Sequence, residues 1–203
     1  MAKKLRPDFF LQDTVYVARA LLGCVLWRRI GRRLLAARIV ETESYLGAND
    51  PASHARRGLR SDRNASMYLH GGHAYVYFTY GMHWCLNVVT AEADIAEAVL
   101  LRAVEPVRGV EEMRKRRPKA KRDFDLTNGP GKICMAMDID RKLDGERLDG
   151  DRLYITGRDI EVSDADIVVT PRVGIENSGE AAAWPLRFFL RGNRYVSAYR
   201  NVR

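Results

Sequence analysis

The chain has 203 residues, 46% hydrophobic and 30% charged, which suits one sizeable core in a globular protein. No apolar run approaches the roughly 18–20 residues that span a bilayer, and the basic N-terminal stretch lacks the apolar segment of a secretory signal. The net charge of +8, rich in arginine, fits a polyanionic partner as readily as a solvated basic surface, and does not separate DNA from RNA or a membrane face.

In chain order, residues 13–22 predict a helix capped by Asp13 or Thr14, with Val15, Ala18, Leu21 and Leu22 on one face, stopped at Gly23. Strands are expected at 24–30 and 34–45, joined by a Gly31-Arg32-Arg33 turn. Residues 47–60 read as a polar loop, and Ser61 as the cap of a short helix running to about residue 69. A hairpin opens at Gly71-Gly72. Residues 73–80 alternate, with Tyr75, Tyr77 and Thr79 on one face and Val76, Phe78 and Tyr80 on the other, and 84–90 return. A strand over 98–104 is expected to end at Glu105-Pro106. Residues 110–117 predict a basic helix and 118–127 a charged loop. A helix carrying Ile133, Cys134, Ala136 and Met137 then follows Gly129-Pro130-Gly131. Short strands near 153–156, 167–169 and 187–191 complete the pattern. With no repeat and no compositional linker, this is an α+β chain forming a single domain over 1–203. Its expected form is a curved, mainly antiparallel, open-barrel-like sheet with surrounding helices and a protruding β-hairpin.

Basic residues cluster at Arg28 to Arg33, Arg56 to Arg63 and Arg114 to Arg122. Cys24, Cys85 and Cys134 are far apart among apolar neighbours. They are expected to be small core residues in a reducing compartment, with neither a disulfide framework nor metal-ligand spacing.

Three stretches carry the chemistry. Glu41 and Glu43 share one face of a strand, where two like charges must be solvated, paired or used. A solvent-facing stripe and a strand-end carboxylate poised to activate water both remain open. Tyr75, Tyr77, Tyr80, Met82, His83 and Trp84 crowd one hairpin, part of it core, with Phe78 and Trp84 the candidates, and part suited to base stacking. A tip bearing Tyr80 and Met82 suits a wedge inserted into a duplex. Arg102, centred in an apolar strand, calls for a partner: Glu105, another acid, or the carboxylate that activates water.

The segments Glu41-Thr42-Glu43-Ser44-Tyr45-Leu46-Gly47, Tyr75-Val76-Tyr77-Phe78-Thr79-Tyr80-Gly81-Met82 and Leu100-Leu101-Arg102-Ala103-Val104-Glu105-Pro106 occur in this order, followed by Asn128-Gly129-Pro130-Gly131-Lys132 and Arg172-Val173-Gly174-Ile175. Together they closely resemble the alkyladenine (3-methyladenine or methylpurine) DNA glycosylases, over about residues 8–200.

The resemblance implies a monofunctional enzyme that flips alkylated or deaminated purines out of double-stranded DNA and hydrolyses the N-glycosidic bond. It implies Glu43 as general base, Arg102 as the arginine holding water and carboxylate, and a main-chain carbonyl near Val173 completing the water site. Tyr45, His54 and Tyr77 become the walls around the flipped base and Asn87 the pocket floor. Tyr80 inserts into the duplex with Met82 beside it. Apart from the resemblance, the basic clusters make Arg57 and Arg63 candidates to hold phosphates, and Lys132 suits a phosphate as well. Ser44 stands where the family often has alanine, and His83 where an aromatic is more usual. No cofactor, metal or membrane is implied. The expected state is a monomer, cytoplasmic at a bacterial nucleoid or nuclear in a eukaryote, and not secreted. A DNA- or RNA-binding module without chemistry, and a hydrolase of free nucleosides, remain the rival readings.

Overall fold

The computed structural model describes residues 3–196, so the expected bounds of 1–203 include residues 1–2 and 197–203, which lie outside the described residues. Its axis is β2 (Arg33–Tyr45), a 13-residue strand paired along most of its length with β5 (Glu97–Arg108). On the opposite edge, β1 (Cys24–Ile30) pairs with Arg33 to Arg38. Where β1 leaves, β8 (Arg187–Leu190) takes its place against Glu41, Thr42 and Glu43. Beyond β5 lie β4 (His83–Thr90) and β3 (Ala74–Thr79); beyond β1 lies β6 (Leu153–Arg158); β7 (Ile167–Thr170) pairs β8. The eight strands form one antiparallel sheet that does not close, as the α+β expectation required.

Two helices at the start of the chain, α1 (Pro7–Phe10) and α2 (Thr14–Ala20), lead into β1. Asp13 is the cap of α2, accepting from the Tyr16 amide at 2.8 Å; Thr14 is buried instead, bonded to Thr90 and Glu97. The helix covers one face of β2, whose Thr42 and Ser44 hydroxyls donate to the carbonyls of Ala18 and Thr14. That leaves Glu41, Glu43 and Tyr45 on the other face. Later helices α3 (Val110–Arg116) and α4 (Pro130–Met137) complete the core, where Leu21, Leu26, Ile39, Leu101, Ile133 and Met137 are buried together. A smaller apolar cluster of Ala55, Met67, Tyr75, Val89 and Ala98 lies apart from it. Cys24, Cys85 and Cys134 are all buried free thiols.

Two expected elements differ. No helix runs over 61–69. The Asn64 side chain accepts from the Ser61 amide at 2.7 Å and only one 3-10 turn, Ala65–Tyr68, forms. Strand β5 also passes through Pro106 to Arg108. By that point β4 has stopped pairing with it, so the proline sits on an edge where its missing N–H breaks no ladder bond.

Of the three irregularities in the β2–β5 register, two lie beside each other. Ile39 faces Val104 and Glu41 faces Ala103, leaving out Val40; Thr42 then faces Leu101, leaving out Arg102. Such bulges bend a strand and re-aim side chains next to sites. Here the residue left out of the ladder is the arginine singled out in the sequence.

Candidate active site

Glu41 and Glu43 are fully buried, so neither belongs to a solvent-facing stripe. Arg102 joins them. Its Nε donates to Glu41 Oε1 at 3.0 Å and its Nη1 to Glu43 Oε2 at 3.3 Å. Glu105 is not its partner, being paired with Arg38 at 2.9 Å. Two further donors meet Glu43: the Val173 amide on Oε1 at 2.8 Å and the Tyr45 hydroxyl on Oε2 at 3.0 Å. Burial pushes the Glu43 carboxyl above its ordinary range, against the pull of Arg102 and the Val173 N–H, while the Glu41 charge adds to the rise. Burial also works against the Arg102 charge, but Glu43 and Glu41 outweigh it and hold the guanidinium ionised.

Tyr45, Arg102 and Val173 all line a cavity of about 370 Å3, at the lower end of small-molecule sites, so the carboxylate lies immediately behind its wall. The same cavity meets His54, Tyr75, Tyr77, Cys85 and Asn87. His54 and Tyr77 stand edge to face with centroids 4.5 Å apart, and His54 Nδ1 shares a 2.8 Å hydrogen bond with the Tyr75 hydroxyl. Burial, with Arg63 and Arg56 nearby, lowers the His54 pKa to about 4, so its ring is neutral at physiological pH. Asn87, buried, donates to the Tyr75 carbonyl at 3.1 Å. Behind Tyr45 the Arg172 guanidinium lies 4.6 Å from the ring centroid, held by a fully buried ion pair with Asp50.

Tyr80 also borders this cavity, from the tip of the β3–β4 hairpin. It is 82% exposed and Met82 67%. Tyr80 takes φ +50° beside Gly81 at +66°, a conformation that side-chain-bearing residues adopt at a cost. Phe78, expected in the core, is instead 44% exposed on the same hairpin, with its ring against Trp84.

Of the basic residues, Arg56 lines the cavity, and among the described residues Arg56, Arg57 and Arg63 form no ion pair. Arg63 donates to the Phe78 carbonyl and lies 5.6 Å from the Tyr77 ring centroid. Lys132 donates to Asn128 Oδ1 at 2.6 Å. Much of the 114–122 cluster is neutralised locally: Arg114 pairs with Asp123, Lys115 with Glu112 and Arg122 with Asp125.

Residues 8–194 match the sequence model of the methylpurine-DNA glycosylases. The chain belongs to that family.

A Bdellovibrio bacteriovorus relative is 49% identical, over 95% of this chain and 98% of its own length. One from Carboxydothermus hydrogenoformans is 47% identical over the same shares. Both carry the provisional name 3-methyladenine DNA glycosylase. An Encephalitozoon cuniculi protein, provisionally named DNA-3-methyladenine glycosylase, is 45% identical over 91% of this chain and 88% of its own length. As a methylpurine-DNA glycosylase, the chain is a DNA N-glycosylase, a hydrolase of DNA repair.

Arg102, Tyr45, His54, Tyr77 and Asn87 line the cavity of this glycosylase, with Glu43 behind its wall and Tyr80 at its rim; Met82, Arg57, Arg63 and Lys132 stand outside its lining. Sequence reading passed over Asp50 and Arg187. Arg187 offered the same signal as Arg102, an arginine inside an apolar strand. The resemblance pointed to the main chain near Val173 through a carbonyl; the group that meets Glu43 is the Val173 amide, which no side-chain pattern signals.

Proposed function

We propose that this glycosylase binds double-stranded DNA as a monomer, turns a damaged purine out of the helix into the cavity, and hydrolyses its N-glycosidic bond. The strand is left intact with an abasic site. The observation that carries the reading is Glu43, held by three donors that all line an aromatic cavity beneath an exposed tyrosine tip.

Glu43 takes a proton from a water whose oxygen bonds to the sugar C1′. The C1′–N bond breaks with its electron pair leaving on the base. Sugar charge develops as in other glycosidic cleavages, and the carboxylate stabilises it. Tyr45, His54 and Tyr77 enclose the base, and electron-rich tyrosine faces favour a cationic ring. Asn87 meets its edge at the floor.

A purine alkylated at N3 or N7 departs neutral without needing a proton. His54, neutral at physiological pH, is no ready acid for an uncharged lesion such as hypoxanthine. Alkylated purines are therefore the favoured substrates, with deaminated ones slower. Among the described residues no lysine lines the cavity, which supports simple hydrolysis over Schiff-base chemistry and strand cleavage. Tyr80 fills the gap left by the flipped base, with Met82 beside it. Arg57, Arg63 and Lys132 hold phosphates, together with Arg56.

The test is base release from a methylated-purine duplex by wild type and Glu43→Gln. Release by wild type alone, leaving an unbroken abasic strand, is expected. Release by Glu43→Gln at the wild-type rate, or strand scission, would overturn the reading.

A further inference from the structure

We infer that Glu41 and Arg187 are positioning residues for the Glu43–Arg102 pair; the inference rests on reading Glu43 as the general base. Arg187 stands directly opposite Glu43 in the β2–β8 register, yet its Nε donates to Glu41 Oε1 at 2.6 Å. The Arg102 Nε donates to that same oxygen at 3.0 Å. Glu41 therefore holds the Nε of both arginines. Arg187 also reaches Thr170 and stacks on Phe189, which fixes it between β7 and β8.

This arrangement sets how Arg102 meets the base. A guanidinium prefers to grip a carboxylate with two parallel N–H bonds. Such a grip on Glu43 would neutralise it more fully and occupy both oxygens. With its Nε edge tied to Glu41, Arg102 presents Nη1 to Glu43 Oε2, leaving Oε1 to the Val173 amide. The bulge at Arg102 is what places its side chain between the two acids.

The formal charges of Arg187, Glu41, Arg102 and Glu43 cancel. Buried ions are costly even when paired, and apolar residues of similar volume commonly serve stability as well. Glu41 and Arg187 side chains have no exposure at all, and Glu41 meets the reacting pair through its bond from Arg102 and through its charge beside Glu43. Their roles are accordingly positional.

The experiment compares Glu41→Gln, Glu41→Asp and Glu43→Gln with wild type. Base release is measured in a single turnover with enzyme in excess, alongside affinity for the same methylated duplex and thermal unfolding. Glu41→Gln keeps an acceptor oxygen but removes the charge that ties the Arg102 Nε edge and puts an NH2 donor beside the arginines; Glu41→Asp keeps every charge but withdraws the carboxylate by one methylene. Both are expected to release base between about ten- and a hundredfold more slowly, with affinity for the damaged duplex retained. A purely structural role would lower the unfolding temperature and leave the single-turnover rate of the folded, bound enzyme unchanged. Should Glu41→Gln fold poorly, Glu41→Asp decides the question. Wild-type release rates in folded Glu41 variants, beside an inactive Glu43→Gln, overturn this inference alone. A fully active Glu43→Gln overturns the assignment of the base itself.

Discussion

The Tyr45 hydroxyl donates to Glu43 Oε2 at 3.0 Å from two residues further along the same strand. One tyrosine thus faces the cavity with its ring and the carboxylate with its hydroxyl. The bond favours the ionised form of Glu43, opposing the upward push of burial. Tyr45→Phe keeps the ring and removes the donor, so the Glu43 pKa rises further. The acid limb of single-turnover base release should then move to higher pH, with little change on the plateau. A limb that stays in place or moves down would show that this hydroxyl does not tune Glu43.

His54 makes stability depend on pH in a predictable direction. Its pKa falls from 6.5 to about 4 on folding, so the unfolded chain binds the extra proton between those values. Stability is full above the unfolded pKa and declines as pH falls from 6.5 towards 4, by roughly 2–4 kcal/mol from this group. Denaturant unfolding of wild type and His54→Gln should diverge across that window. A difference between them that is the same at pH 7 and pH 4.5 would contradict it.

Asp50→Ala removes the only acid paired with Arg172 among the described residues and leaves a cation buried behind Tyr45. Breaking one side of a buried pair costs about 3–5 kcal/mol. A large drop in unfolding temperature is expected, with weaker lesion binding at temperatures where the variant is folded. Unfolding near the wild-type temperature would mean that Arg172 finds another partner or water.

Tyr80→Gly separates stability from function. Glycine takes φ +50° without strain, so the variant should gain about 1 kcal/mol in denaturant unfolding. Its affinity for the damaged duplex and its single-turnover rate should both fall, because the wedge is gone. A variant that binds and releases base as wild type does would remove Tyr80 from the flipping step.

Arg63→Ala tests the phosphate face. Loss of one phosphate contact should lower affinity for damaged and undamaged duplexes alike, and make the dependence of log affinity on log salt shallower by about one. An unchanged slope would assign Arg63 to the hairpin alone, through its bond to the Phe78 carbonyl.

Local pattern revealed much of the fold. The alternation along 73–80 put Tyr75 and Tyr77 on one face, and both line the cavity; Tyr80, expected on the other face, borders it too because the strand ends at Thr79 and the chain turns there. Placing Glu41 and Glu43 on one face was likewise a matter of period two, and Arg102 bridges both. What the sequence hid depends on partners far along the chain. The bulges at Val40 and Arg102 exist only relative to the opposing strand. Pro106 looked like a strand end because nothing in its own segment says that β4 has already stopped pairing. Ser61 looked like a cap, but Asn64 accepts its amide and closes the chain into a tighter turn. Asp50 sat in a polar loop with no sign that Arg172, 122 residues on, would bury it.

The carboxylate and its supports lie far apart along the chain. Val173 meets Glu43 across 130 residues, and Arg187 meets Glu41 across 146. During synthesis the strand carrying both acids emerges well over a hundred residues before β8, with which its ladder must form. Contacts this distant close late and slowly. A copy ending before Pro171 would lack Val173 and Arg187, and with them the amide that meets Glu43 and the guanidinium that meets Glu41. No such fragment should release bases, so incomplete synthesis is not expected to yield an indiscriminate producer of abasic sites.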